Sequence, residues 1–262
     1  MDLDKLRSKL EQLKNPGSTN FTSNIWKPKK DGEESRIRLI HYPFSDDPFV
    51  ELWFYYGIGQ GPGILSPRRM SGRSDPIWDL AQELRESGDE KDLELAKTLS
   101  PKQRIYAVVV DRDDPSQTPK YWGFGKMVYQ ELLEKIFNEE YGNYMDPNKG
   151  IDITVKSEKK AGKRYPETSL TFSRRETPLA DSEDKIDKIL KSIKPIEDVF
   201  KPMATAEIKK RLQDWLSFSE EEVVNEDSGE TVRKASSNSS GGVYNVEEEL
   251  EKALENSQQV PA

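Results

Sequence analysis

Between Gln103 and Lys126 the chain reads QRIYAVVVDRDDPSQTPKYWGFGK, the densest set of side chains able to hold a ligand. Tyr106, Tyr121, Trp122 and Phe124 offer flat π faces, and Lys102, Arg104, Lys120 and Lys126 place cations beside them. Unpaired nucleobases and their phosphates need these two things: each base stacks on a ring for roughly 1–3 kcal/mol, and the backbone follows a basic track. More cations recur as Arg68, Arg69 and Arg73 in SPRRMSGRS, and as Lys159, Lys160, Lys163 and Arg164, with Tyr165 next, in SEKKAGKRY. Together these residues are the expected contacts to single-stranded DNA. Strand alternation sets Tyr121 and Gly123 opposite Trp122 and Phe124, so one set is expected in a core and the other in a groove.

Catalytic chemistry finds less support. Asp111, Asp113 and Asp114 form a DxDD group that could hold a divalent cation, but aspartates beside Pro115 also serve a polar turn by bonding their own backbone. A single histidine, His41, builds no imidazole cluster and reads as a strand-end residue. With no cysteine there are no disulfides and no thiolate zinc sites. The glycines from Gly57 to Gly63 are followed by no Gly-Lys-Ser/Thr, so they make no phosphate-binding P-loop. The expectation is a protein that is not an enzyme and carries no metal or cofactor.

The elements that must position the contacts follow from pattern. Ile105–Val110 is apolar and β-branched, then comes a loop and the strand Tyr121–Lys126, with one face of the first strand on a core and the other under a helix or second sheet. Arg36–Ile40 alternates basic and apolar, the pattern of a half-buried strand with a basic outer face. The run Phe49–Tyr56 reads as its neighbour, Ser66–Ser74 as a flexible basic segment, and Met127–Tyr141 as a helix. Asp75-Pro76 reads as a helix start, with aspartate as the cap and proline in the first turn. The expected architecture is α+β, mainly β: a five-stranded barrel of the OB type, with a helical insertion over about 64–100 inside a core of residues 21–218. Residues 1–20 hold Leu3, Leu6, Leu10 and Leu13 at helical spacing and read as an arm. From Ser219 to Ala262 there are eleven acidic and three basic residues, while the rest of the chain holds 37 of each. The acidity therefore belongs to the end of the chain, where a flexible polyanion would compete with DNA for a cationic groove. No apolar run reaches the length of a membrane span and no signal-peptide pattern opens the chain, which points to a soluble protein.

The order of these features resembles the helix-destabilising single-stranded DNA-binding proteins of T4-like bacteriophages. The resemblance runs over nearly the whole chain and is carried by Trp26-Lys27, Ile37-Arg38-Leu39 with Pro48-Phe49, Ala107–Val110 with its Asp-Pro turn, Lys120–Lys126 and Gly162–Tyr165. It implies an OB-fold core that coats single-stranded DNA cooperatively during replication, recombination and repair. It also implies an N-terminal arm for self-association along the strand, corresponding here to Lys5, Arg7, Ser8, Lys9 and Leu10, and an acidic tail, residues 219–262, for replication and recombination proteins. The setting would be the cytoplasm of the infected host cell. Where that family carries Cys-Pro-x-Cys for zinc, this chain has Asp75-Pro76-Ile77-Trp78, so no zinc is expected. The competing reading is a protein-interaction or assembly factor that uses the acidic tail and binds no nucleic acid.

Overall fold

The computed structural model describes residues 23–29, 32–59, 62–162 and 166–224, with side chains as far as 217. They form a mixed α+β structure in which eight strands make one open sheet alongside seven helices. In chain order the strands are β1 (Ile25–Trp26), β2 (Glu34–Ile40), β3 (Val50–Tyr55), β4 (Ile64–Leu65), β5 (Lys102–Asp111), β6 (Lys120–Phe124), β7 (Ile151–Glu158) and β8 (Glu167–Glu176). The helices are α1 (Pro67–Ser71), α2 (Pro76–Ser87), α3 (Glu90–Thr98), α4 (Lys126–Ile136), α5 (Glu183–Lys191), α6 (Ile196–Val199) and α7 (Thr205–Val224). None of the described helices is long and apolar enough to cross a membrane. Two units divide the chain, one comprising residues up to Leu52 with Gln103–Lys201, the other Trp53–Lys102 with residues from Pro202 on.

In the first unit the strands run β1-β6-β5-β2-β7-β8. Alternation sends Ile37 and Leu39, Ile105, Ala107 and Val109, and Ile151, Ile153 and Val155 to one face, where they pack with Trp26, Phe49, Trp122, Phe124 and the inner side of α4. The opposite face of β5 and β6 is also buried, because the segment from α5 to Phe200 lies on it. There Tyr121 Oη donates to the Lys194 carbonyl at 2.6 Å, Ile196 N donates to Tyr42 Oη at 3.2 Å, and Tyr106 meets Phe200 at 4.6 Å. The expectation that β5 is covered on both sides is met. A closed five-stranded barrel is not formed: β1 pairs in parallel with the outer edge of β6, Ile25 beside Tyr121 and Trp26 beside Trp122, and the ladder stays open. Nor are β2 and β3 neighbours, since β3 pairs with β4 and β5. Helix α4 stops at Ile136, short of the expected Tyr141, and α7 runs through Val224, so the first residues counted as acidic tail are helical.

Gly123 shows how tightly β5 and β6 are joined. It stands opposite Tyr106 in the ladder, and a Cβ there would lie 2.7 Å from the Tyr106 ring. Gly123→Ala must push a buried ring off its seat, and overpacking of this kind typically costs about 1–3 kcal/mol. A thermal unfolding curve of the variant is expected to show that loss, and Tyr106→Ala in the same chain should remove most of the additional penalty.

In the second unit α2 packs on α7, and Tyr55, Ile58, Ile64, Ile77, Leu80, Leu84, Leu99, Ile208, Leu212 and Leu216 close a separate core. The basic segment expected to be flexible is α1. Ser66 caps it by accepting from Arg69 N, Pro67 takes the first turn, and Gly72 ends it at φ 67°, a conformation that suits glycine.

Candidate nucleic-acid interface

The rings expected to stack on bases are enclosed. Tyr106, Tyr121, Trp122 and Phe124 are each buried, with at most 8% of their surface exposed. Trp122 packs edge-on against Trp26 at 5.4 Å and Phe124 at 4.8 Å, and Phe124 meets Phe49 at 6.2 Å. The division of these aromatics between core and groove therefore fails as an expectation: both faces of β6 are covered, so alternation sorts its rings between two interiors.

The cations separate into two groups. Lys120 is held by Asp114 at 3.0 Å and Lys160 by Glu167 at 2.5 Å. Arg104 is exposed and donates to the Gly123 carbonyl at 3.0 Å. Lys102, Lys126 and Lys159 are exposed and make no ion pair with a carboxylate among the described residues, and the same holds for Arg104, Arg68, Arg69 and Arg73. Such cations can take phosphate without first breaking an ion pair inside the protein. Lys163, Arg164 and Tyr165 lie outside the described residues, as do the arm residues Lys5, Arg7, Ser8, Lys9 and Leu10 and everything beyond Val224.

In the second unit α1 and α2 build a feature that pattern reading missed. The Arg69 guanidinium lies over the ring of Trp53 at 4.8 Å and over that of Trp78 at 5.0 Å. Trp53 and Trp78 are half-buried and Arg69 is exposed, with Arg68 and Arg73 exposed on the same short helix and its exit. Cation–π contacts of this kind fix the guanidinium plane while leaving its N–H edges free for an acceptor. A sequence signal existed in retrospect. Trp78 falls off the Ile77, Leu80, Ala81, Leu84 face of α2, whereas Trp53 shares its side of β3 with the buried Tyr55 and gave no such signal.

A buried carboxylate holds this corner together. Asp75 is fully enclosed, and its Oδ2 accepts from Ser66 Oγ at 2.6 Å, Tyr55 Oη at 2.9 Å and Arg68 N at 3.3 Å. Its Oδ1 accepts from Trp78 N at 3.3 Å, so one side chain caps α2 and ties it to β3, β4 and α1. Burial pushes the Tyr55 phenol far above its ordinary pKa, which keeps it a donor.

The DxDD group is a turn whose carboxylates serve different partners. Asp111 accepts from Trp26 Nε1 at 2.9 Å, Asp113 pairs with Lys29 at 2.9 Å, and Asp114 pairs with Lys120. Hydrogen bonds from Lys120 and Ser116 bring the Asp114 carboxyl down to about 2. Among the described residues no group of three or more histidines, aspartates or glutamates is placed to hold a metal ion. His41 sits just past β2 with its ring nitrogens 2.9 Å from the Tyr42 carbonyl and 3.2 Å from that of Asp46, a strand-end role.

No known protein family matches the chain, and no curated protein matches it. The reading of this surface rests on its chemistry.

Proposed function

We propose that the chain is a non-catalytic single-stranded DNA-binding protein that coats the strand cooperatively during phage replication, recombination and repair. The observation that carries this reading is the Trp53–Arg69–Trp78 stack beside Arg68 and Arg73. It joins tryptophan faces to a fixed guanidinium and to cations that make no ion pair among the described residues, the combination on which sequence-tolerant base stacking and phosphate contact depend. Lys102 belongs to the same unit, while Arg104, Lys126 and Lys159 offer further phosphate contacts on the first unit. The likeness to T4-like phage proteins supports the same role and assigns the arm to self-association and residues 219–262 to partner proteins.

Strand connectivity supports an OB-type ancestry for the first unit. Such a barrel needs five pairings, and β2–β5, β5–β6, β2–β7 and β7–β8 supply four, with α4 between the third and fourth of these strands. β1 occupies the edge of β6 where the fifth would form.

Titrating the full chain with oligo-dT while following tryptophan fluorescence tests the proposal. Quenching is expected, with most of it lost in Trp53→Phe/Trp78→Phe and retained when Trp122 is replaced by Phe, because Trp122 is buried. Arg69→Ala should weaken binding by about tenfold and lower the salt slope by about 1, the signature of one lost phosphate contact. Binding indifferent to salt, or no quenching, overturns the reading. The assembly-factor alternative has its own support in α4 and its C-terminal cap, where Met127 and Phe137 are 86% and 82% exposed beside a shallow depression of about 430 Å³ lined by Tyr129 and Leu133. A chain that binds no oligonucleotide would leave that reading standing.

A further inference from the structure

We infer that β8 is a self-complementary edge that pairs antiparallel with β8 of a second copy, about a twofold axis at Thr171. β8 is ten residues long and ends the sheet; β7 flanks it on one side, and among the described residues no strand flanks it on the other.

Its outward groups follow from the ladder. Arg112 N donates to the Arg36 carbonyl at 2.8 Å, so the polar groups of Arg36 face β5. Thr154, opposite Arg36, therefore turns its own toward β8 and its partner Thr171. Likewise Gly32 N donates to the Ser157 carbonyl at 3.0 Å, so Ser157 faces β2 and its neighbour Thr168 faces outward. Alternation then makes Thr168, Leu170 and Phe172 the residues whose N–H and C=O point away from β7.

An added antiparallel strand must set outward residues against outward residues. Centred on Thr171, two copies pair Leu170 with Phe172 in the regular ladder and bring Ser169 beside Ser173, Thr168 beside Arg174 and Glu167 beside Arg175 at the bulged end, each twice by symmetry. Opposite charges and hydroxyls facing one another across strands stabilise such a pairing. Centring on Leu170 sets Glu167 against Ser173, and centring on Phe172 sets Arg175 against Ser169, so both neighbouring registers lose the ion pairs. The end of β8 is shaped for this role. A bulge between Phe172 and Glu176 carries Arg174 and Arg175 off the β7 ladder, both are exposed, and neither pairs with a carboxylate among the described residues. Glu167 takes Lys160, and Arg175 of the copy would share that carboxylate. Edge strands are usually protected by charges that repel a copy; here the twofold turns those charges into partners.

The contact is independent of nucleic acid, so it is tested on the full chain without DNA. Thr171 is exposed, and the chain has no cysteine. At the axis Thr171 meets its own copy as a non-hydrogen-bonded pair with Cα atoms about 4.5 Å apart, within disulfide reach. Thr171→Cys under mild oxidation is expected to give a covalent dimer as the main product. Ser169→Cys or Ser173→Cys alone should stay largely monomeric, while a mixture of the two should cross-link. In sedimentation equilibrium Arg175→Glu is expected to abolish the dimer, and Glu167→Lys/Arg175→Glu to restore it. A Thr171→Cys chain that remains monomeric, or that cross-links no faster than Ser169→Cys, overturns the inference, as does a charge swap that fails to rescue.

Discussion

Asp152→Ala is expected to destabilise the first unit by about 3–5 kcal/mol, the usual cost of leaving buried charge without its partner. Asp152 accepts from Arg38 Nε at 3.0 Å, from Arg38 Nη2 at 2.7 Å and from Arg112 Nε at 2.9 Å. Arg38 is wholly buried, and burial lowers its pKa against the opposing pull of Asp152. A guanidinium starts from so high a pKa that it keeps its charge inside the protein. Removing the carboxylate therefore leaves two guanidiniums side by side without the group that bonds both. Arg112 spends its remaining donors on Thr177 Oγ1 and the carbonyls of Pro178 and Leu179, so the cluster also ties the segment after β8 to β2 and β7. Asp152→Asn retains the shape without the charge and should fall between wild type and alanine. Urea unfolding followed by the buried Trp26 and Trp122 reports on this unit; a loss below about 1 kcal/mol would mean that the guanidiniums find other acceptors.

That cluster marks a limit of pattern reading. Arg36 and Arg38 alternate with apolar residues and read as a basic outer face, yet only Arg36 is exposed. Arg38 is enclosed because Asp152, 114 residues away in sequence, neutralises it and Thr177 accepts from it at 2.5 Å. Separation in sequence also hid the Trp53–Arg69–Trp78 stack, whose three members come from a strand and two helices. Other features were legible because their causes are local. Asp75-Pro76 announced α2 by its cap and proline, and Ile105–Val110 announced β5 by its β-branched run. Helix α1 was missed for a local reason as well. Its flanking Pro67 and Gly72 look like breakers, but they occupy the two positions, first turn and C-terminal cap, where a helix uses them.

Asp75→Ala is expected to act on stability and on the proposed interface together. The substitution removes the cap of α2, worth about 1 kcal/mol, and the charged acceptor of two enclosed hydroxyls, for which about 1.5–3 kcal/mol each is typical. Ser66 and Tyr55 lie 3.1 Å apart and can still bond each other, so the expected loss for the second unit is about 3 kcal/mol. Asp75→Asn should recover little, because its amide turns donors toward either Ser66 and Tyr55 or the backbone N–H groups of Arg68 and Trp78. A cycle with Tyr55→Phe isolates the hydrogen bond: the phenylalanine should cost less in the Asp75→Ala background than in the native one. The effect on DNA follows from geometry. Asp75 is the junction between the helix that carries Arg69 and the helix that carries Trp78, so losing it lets the stack open. Arg69→Ala should weaken DNA binding at nearly native stability, whereas Asp75→Ala should lose both, measured at a temperature where each variant remains folded. An Asp75→Ala chain that is destabilised yet binds oligo-dT with native affinity would separate the buried junction from binding and remove the stack as the place where the bases dock.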